Sequence, residues 1–244
     1  MFHPQGPTFF ELAQQALSST ERGYDLLGPK FDHTPFRTGN PFFAAFKQRL
    51  VEHCGPSQFN TILDVCCGTG AAMQALAPLC QDQLVGIDMS QGMLNQAAEN
   101  LTGTTCPFEL VRGNVFNMPF GATFDLAVSF GAFGHILPTQ EQRFIAEIHK
   151  VLAAGGRFAF ITHRMPSRFS ATYWLARGFN GAMRVRNWLI RPPFIMYYLT
   201  FLWPDVNAKL EQAGFTVTAK PLFPDKPKLQ LFQFVIAEKK HADH

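Results

Sequence analysis

Residues 60–70 read Asn-Thr-Ile-Leu-Asp-Val-Cys-Cys-Gly-Thr-Gly, and residues 84–88 read Leu-Val-Gly-Ile-Asp. No other feature narrows the fold as much. A short β-branched run ends in a carboxylate and a Gly-x-Gly turn. A helix rich in small residues follows, and a second apolar run ends in Asp88, 18 residues after Gly70. That order is a βαβ unit wrapped around a nucleotide-like ligand. Gly68 and Gly70 permit backbone angles and a close approach that a side chain would block. Asp88, at the carboxyl end of the second strand, is placed to accept hydrogen bonds from both hydroxyls of a ribose.

The likeness to a dinucleotide site stops at one position. The third glycine of Gly-x-Gly-x-x-Gly lets the helix pack close beneath a pyrophosphate, and here that position holds Met73. A phosphate loop ending in Gly-Lys-Ser/Thr is also absent. These two absences disfavour a nicotinamide-dependent oxidoreductase and leave a single adenosine moiety as the expected ligand.

Residues 64–70, Asp-Val-Cys-Cys-Gly-Thr-Gly, resemble the E/D-x-G-x-G-x-G signature of class I S-adenosylmethionine-dependent methyltransferases, in its D-x-x-C-G-T-G form, with Cys66 in place of the first glycine. The resemblance covers about residues 60–162 and 205–238. Residues 113–120 (Gly-Asn-Val-Phe-Asn-Met-Pro-Phe) are similar to the family's G-D-A-x-x-L-P-F. Residues 124–130 resemble its fourth strand, and residues 151–157 its L-x-P-G-G turn. It implies S-adenosylmethionine as cofactor, with Asp64, Cys66, Gly68 and Gly70 around the methionine part, Asp88 on the ribose and Met89 on one face of the adenine. It also implies Asn114 and Val115 at the adenine edge, and the backbone carbonyl of Phe130 on the cofactor's amino group. Asn114 stands where Asp is commoner, and Gly134 where many relatives carry the first histidine of a pair. The implied fold is a doubly wound α/β sheet in the order 3-2-1-4-5-7-6, strand 7 antiparallel.

Bulk properties agree. At 244 residues and 47% apolar content the chain can bury one full core, and residues 1–244 are expected to form a single methyltransferase domain. Residues 1–55 would make an N-terminal helical cap, and residues 165–204 a helical insertion. A net charge of +3 without a long basic run excludes the footprint of a duplex-binding protein, so nucleic acid is not the expected substrate. Five cysteines with no Cys-x-x-Cys suit a reducing compartment and read as core residues. The first residues show no basic stretch followed by an apolar one, and a cytoplasmic location is expected.

Propensity and periodicity place helices near 9–18, 41–54, 70–79, 91–100 and 140–152, with a stretch punctuated by Gly and Pro between 18 and 40. Strands are expected near 61–66, 83–88, 107–112, 124–130, 156–162, 215–219 and 229–238. Residues 139–142 read as a capping box led by Thr139, and Asp205 as the cap of a later helix.

Residues 165–204 are longer than a strand-to-helix connection requires, and they interleave arginines with aromatics. One reading is a lid over an apolar or anionic small-molecule acceptor; the other is two packed helices with solvated arginines. The apolar run 194–203 is far short of the ~20 residues that span a bilayer, and peripheral membrane contact is not favoured. Tyr24, with Arg37, suits a segment that closes over the cofactor; its plainer reading is a helix packed beside the sheet.

Methyl transfer from a sulfonium is an in-line displacement, so the enzyme aligns the partners and, for a neutral hydroxyl or protonated amine, removes a proton. No metal is demanded. His163, after the fifth strand, and His135, after the fourth, are the candidate catalytic residues. A rival of another class is a cofactor-binding protein that has lost catalysis and serves as a regulator or partner subunit.

Overall fold

The computed structural model describes residues 3–35, 37–56 and 59–240. Seven strands form one sheet: β1 (Phe59–Val65), β2 (Cys80–Asp88), β3 (Phe108–Arg112), β4 (Phe124–Ser129), β5 (Leu152–His163), β6 (Phe215–Pro221) and β7 (Phe232–Lys239). Their order is β3-β2-β1-β4-β5-β7-β6. The first five run parallel, while β7 is antiparallel to both β5 and β6. The chain reverses its winding between β1 and β4, so the ligand crevice of such a sheet lies above the carboxyl ends of these two strands.

Eight helices accompany the sheet among the described residues: α1 (Phe9–Leu17), α2 (Thr20–Leu27), α3 (Asn40–Cys54), α4 (Ala71–Leu76), α5 (Gln91–Asn100), α6 (Glu141–Val151), α7 (Ala171–Leu189) and α8 (Asp205–Gln212). Ile62, Leu63 and Val65 on both faces of β1 are all fully buried, as a strand covered on both sides requires. One face packs on Phe46 and Leu50 of α3, Met73 of α4 and Leu94 of α5. The other packs on Phe144, Ile145 and Ile148 of α6 with Val206 and Leu210 of α8.

Two local expectations fail for physical reasons. The capping box at Thr139 does not form: α6 starts at Glu141 behind an N-cap Gln140 without a side-chain cap. Tertiary bonds override it, because Glu141 is buried, accepts the Phe201 amide at 3.0 Å and pairs with Lys209. Asp205 is the first residue of α8 rather than its cap; Pro204 holds the cap position without a side-chain bond. In the Gly- and Pro-punctuated stretch 18–40 the helix reading of the Tyr24 segment holds, since Tyr24 lies in α2. Ser19 caps α2 by accepting the Arg22 amide, and a 3-10 turn, Gly28–His33, follows it.

Candidate functional site

The turn after β1 carries left-handed backbone at Cys66 (φ 62°), Gly68 (φ 53°) and Gly70 (φ 78°). A side chain in that region strains the backbone by roughly 1–2 kcal/mol, which is why glycine is the usual residue where Cys66 stands. The conformation survives the substitution. A Cβ built at Gly68 would meet no atom within 4 Å, so the upper face of the turn is open to a ligand. The close helix packing that a third glycine provides elsewhere comes instead from the strand below. A Cβ at Gly86 of β2 would lie 2.6 Å from the Met73 sulfur and 2.9 Å from the Cys67 sulfur.

Two carboxylates flank this turn. Asp88 is satisfied: Oδ2 accepts the Gly68 amide and Oδ1 the Ser90 amide, each at 2.9 Å. Asp64 is 2% exposed, and its Oδ2 has no hydrogen-bond partner. Burial, then the neighbouring Asp88, push its carboxyl up to about 8. Burial likewise raises the Cys66 thiol, with Asp88 and Asp64 adding to it. A buried unpaired carboxylate oxygen beside a second acid is a receptor for a cationic or strongly donating group.

The N-terminal segment roofs the crevice. From α2, Asp25 accepts the Ser90 hydroxyl at 2.7 Å and the Gly92 amide at 2.9 Å, and Glu21 pairs with Arg112 at 2.6 Å. Backbone meets backbone where Gly28 faces Gly92: a Cβ on Gly28 would lie 2.6 Å from the Gly92 carbonyl carbon. Tyr24 reaches across to His135, with its hydroxyl 2.9 Å from Nε2. Nδ1 of His135 faces the Ile195 carbonyl, which can only accept, so Nδ1 carries the proton and Nε2 accepts from the Tyr24 hydroxyl. Burial holds His135 below its ordinary pKa, keeping the ring neutral near pH 7. Burial, and next the field of Asp88, raise the Tyr24 phenol.

The far end of the 165–204 insertion closes the third side. Phe194 stacks on Tyr24 at 6.1 Å, and the Ile195 amide donates to the Thr20 hydroxyl at 2.7 Å. Tyr197 donates its amide to the Gly134 carbonyl at 2.7 Å, and a Cβ at Gly134 would come within 3.0 Å of the Tyr197 carbonyl oxygen. The side chain missing at Gly134 is thus replaced by backbone of the insertion. Phe201 stacks on Phe133 at 4.2 Å.

The other expected residues are distributed as follows. Met89, just after β2, is exposed, and Val115 is buried. Asn114 is exposed and uses its side chain locally, Oδ1 accepting the Phe116 amide. Phe130, after β4, sets its ring edge-on to Phe43 and Phe46. His163 is not drawn into the Tyr24–His135 group: Nδ1 faces the Arg164 carbonyl at 3.0 Å and its ring sits edge-on to Phe232 of β7. Two acids that motif reading passes over organise the roof. Asp25 does so on α5, and Asp32 accepts from Thr69 and Asn100 at 2.8 Å each while Arg37 approaches it at 3.5 Å. Their only sequence signal is proximity to Tyr24. A cavity of about 500 Å³ lined by Asp32, His33, Arg37, Gln74 and Asn100 lies beside the start of α4, behind the glycine turn.

Comparison with known proteins bears on the family and the fold. A family model described as a methyltransferase domain matches residues 62–156. An uncharacterized methyltransferase of Synechocystis sp. is 32% identical over 187 residues, which are 73% of this chain and 77% of that protein. A demethylmenaquinone methyltransferase of Desulfitobacterium hafniense is 32% identical over 138 residues, about half of each chain at 53%. Among solved structures, the complex of DhpI with SAH aligns over 96% of this chain and 99% of that one, with a TM-score of 0.65 at 15% identity, and so shares the fold.

Proposed function

This chain belongs to the class I S-adenosylmethionine-dependent methyltransferase family, and on that premise we propose that it methylates an apolar small molecule held between the glycine turn, the α2 roof and the 165–204 insertion. The observation that carries the reading is the buried, unpartnered Oδ2 of Asp64 beside the open face of Gly68. S-adenosylmethionine fits these residues, and it supplies a methyl group already activated on a sulfonium. Asp64 would receive the amino group of its methionine part, with Cys66, Gly68 and Gly70 alongside, and Asp88 would accept from the ribose hydroxyls. Met89, Asn114 and Val115 would border the adenine, with the Phe130 carbonyl on the cofactor's amino group.

Proton removal falls to Tyr24 and His135 acting together. The phenol oxygen, its own proton committed to Nε2, accepts the proton of the acceptor while His135 takes the one that Tyr24 gives up. Neither residue serves alone, since the phenol is raised by burial and the imidazole is enclosed beneath it. The α2 roof and the insertion exclude water and align acceptor and methyl group. The acceptor class draws support from relatives named demethylmenaquinone methyltransferase and from a 24-methylenesterol C-methyltransferase 2 of Oryza sativa that is 31% identical over 137 residues.

Incubation with S-adenosylmethionine and an apolar metabolite extract, read by mass spectrometry, is expected to yield a product one methyl heavier together with an equal amount of S-adenosylhomocysteine. Tyr24→Phe should retain S-adenosylhomocysteine binding while losing most turnover. Tight cofactor binding without any S-adenosylhomocysteine formed across chemically diverse extracts would make the protein a binder and defeat the enzymatic reading.

A further inference from the structure

α7 is the longest helix described, at 19 residues, and none of its residues is buried. Its partly covered positions, Tyr173, Ala176, Phe179, Met183 and Asn187, follow one helical face. On the opposite face a second apolar line, Leu175, Gly178, Ala182, Val185 and Leu189, repeats at intervals of three and four residues with Trp174 and Trp188 beside it. A surface helix of a globular protein has one apolar stripe; this one has two, and the outer one faces solvent. Leu175 is 74% exposed, Trp188 78%, Leu189 65%, and Phe169, just before the helix, 100%. Of the fifteen large apolar side chains exposed among the described residues, six are on α7 or at Phe169 just before it, so the exposure is concentrated on this helix.

Charge tells what the patch meets. Residues 165–203 contain no Asp or Glu and five arginines. Arg186 is consumed internally, donating to the Ala16 and Ser18 carbonyls and so tying the C-terminal half of α7 to the end of α1, where Leu17 is also exposed. Arg168, Arg177, Arg184 and Arg191 are exposed, and none of them forms an ion pair among the described residues. A second copy of this surface would set arginine against arginine with no acid to answer. A nucleic acid would answer the arginines and gain nothing from Leu175, Val185 or Leu189. We propose that the outer face of α7, with Phe169, docks on the surface of an anionic lipid bilayer. The aliphatic line enters the acyl boundary, the tryptophans lie at headgroup depth, and the arginines reach anionic headgroups. No described helix is long and apolar enough to cross a membrane, so the attachment is peripheral. The docking does not depend on the methyl-transfer reading. If both hold, the insertion that walls the acceptor also faces the phase in which an apolar acceptor dissolves.

The test is flotation of the full-length protein with vesicles of phosphatidylcholine alone and with about a quarter phosphatidylglycerol, together with tryptophan emission. Expected are partitioning about tenfold stronger onto the anionic vesicles, a blue shift, and loss of binding at high salt. The double variant Trp188→Glu/Leu189→Glu should lose flotation and keep the wild-type melting temperature, since both side chains stand in solvent. Arg177→Gln/Arg184→Gln should lose the preference for anionic vesicles and keep its fold. Equal partitioning onto both vesicles, or unchanged flotation of both variants, would overturn the proposal. So would a concentration-dependent dimer by light scattering that the Trp188→Glu/Leu189→Glu variant abolishes, because the face would then belong to a second copy.

Discussion

The turn at residues 64–70 and the helix α7 stand at opposite ends of the same molecule in how their residues are used. Around the turn, backbone amides of Cys67, Gly68 and Ser90 are all spoken for by Ile87 and Asp88, and the side chains below are packed to contact. α7 buries none of its residues, and it is bonded to other segments through Asn180, Arg186 and Asn187. The first region is determined by its own backbone geometry and tolerates little. The second is determined by whatever it touches, and it can diverge without disturbing the sheet.

The largest effect should come from exchanging α7 for a short Gly/Ser linker. Methyl transfer should fall by about a hundredfold or more, since alignment and water exclusion go with it, while affinity for S-adenosylhomocysteine changes by no more than a few fold. Full turnover in such a variant would mean that the contrast is only one of exposure. Joint loss of cofactor binding and of the melting transition would mean that α7 supports the core after all.

Asp88→Ala attacks the other region. It removes a carboxylate that orders two amides and, in the proposed complex, meets a ribose. S-adenosylmethionine and S-adenosylhomocysteine should both weaken by about 1.5–3 kcal/mol, roughly ten- to a hundredfold, in calorimetric titration. A loss confined to one of them would place Asp88 outside the shared nucleoside.

Asp64→Asn should separate stability from binding. In the unfolded chain Asp64 ionises near the ordinary 3.8, whereas in the fold it keeps its proton up to about 8. The folded state therefore binds the extra proton between these values, and this residue's contribution to stability declines as pH rises through that window. The variant should melt like the wild type near pH 4 and exceed it by at least about 2 kcal/mol, or roughly 4 °C and upward, at about pH 8.5, while binding S-adenosylmethionine less well. A melting difference independent of pH would remove Asp64 as the titrating group. Smallest of all, Leu175→Ala on the outer face of α7 should change stability by less than about 0.5 kcal/mol in thermal melts. A larger drop would show that the helix packs on something in the free protein.

The same contrast governs what can be read from the sequence. The order of strands follows from the family resemblance, and each of the first two strands announces itself by a β-branched run, Thr61–Val65 and Leu84–Ile87. The glycine turn and Asp88 are legible because backbone conformation at a ligand restricts residue type locally. The roof is another matter. Tyr24 and His135 lie 111 positions apart, and nothing in either neighbourhood encodes their bond. Thr139 shows the limit even for local chemistry, since the buried Glu141 and its bond to Phe201 move the helix start. In residues 165–204 the arginine and aromatic content is plain, but whether they form one helix or two is not. Pro192 and Pro193 lie just past the one helix that forms, Ala171–Leu189, and which of its apolar faces points outward depends on contacts with α1 and Tyr198.

Asp25 holds the start of α5 by two bonds, and its field adds to the burial that raises the Asp88 carboxyl. In the proposed complex these two acids at the mouth of β2 would act as a filter on ligand charge. A nucleoside with free ribose hydroxyls brings donors to them, whereas one phosphorylated on the 2′-oxygen brings a dianion against two carboxylates that no arginine bridges among the described residues. In the proposed complex the junction would therefore disfavour a phosphorylated ribose, and Asp25, one of its two acids, also ties α2 to α5. The acid whose charge bears on Asp88 is thus also the one that fastens α2 to the start of α5.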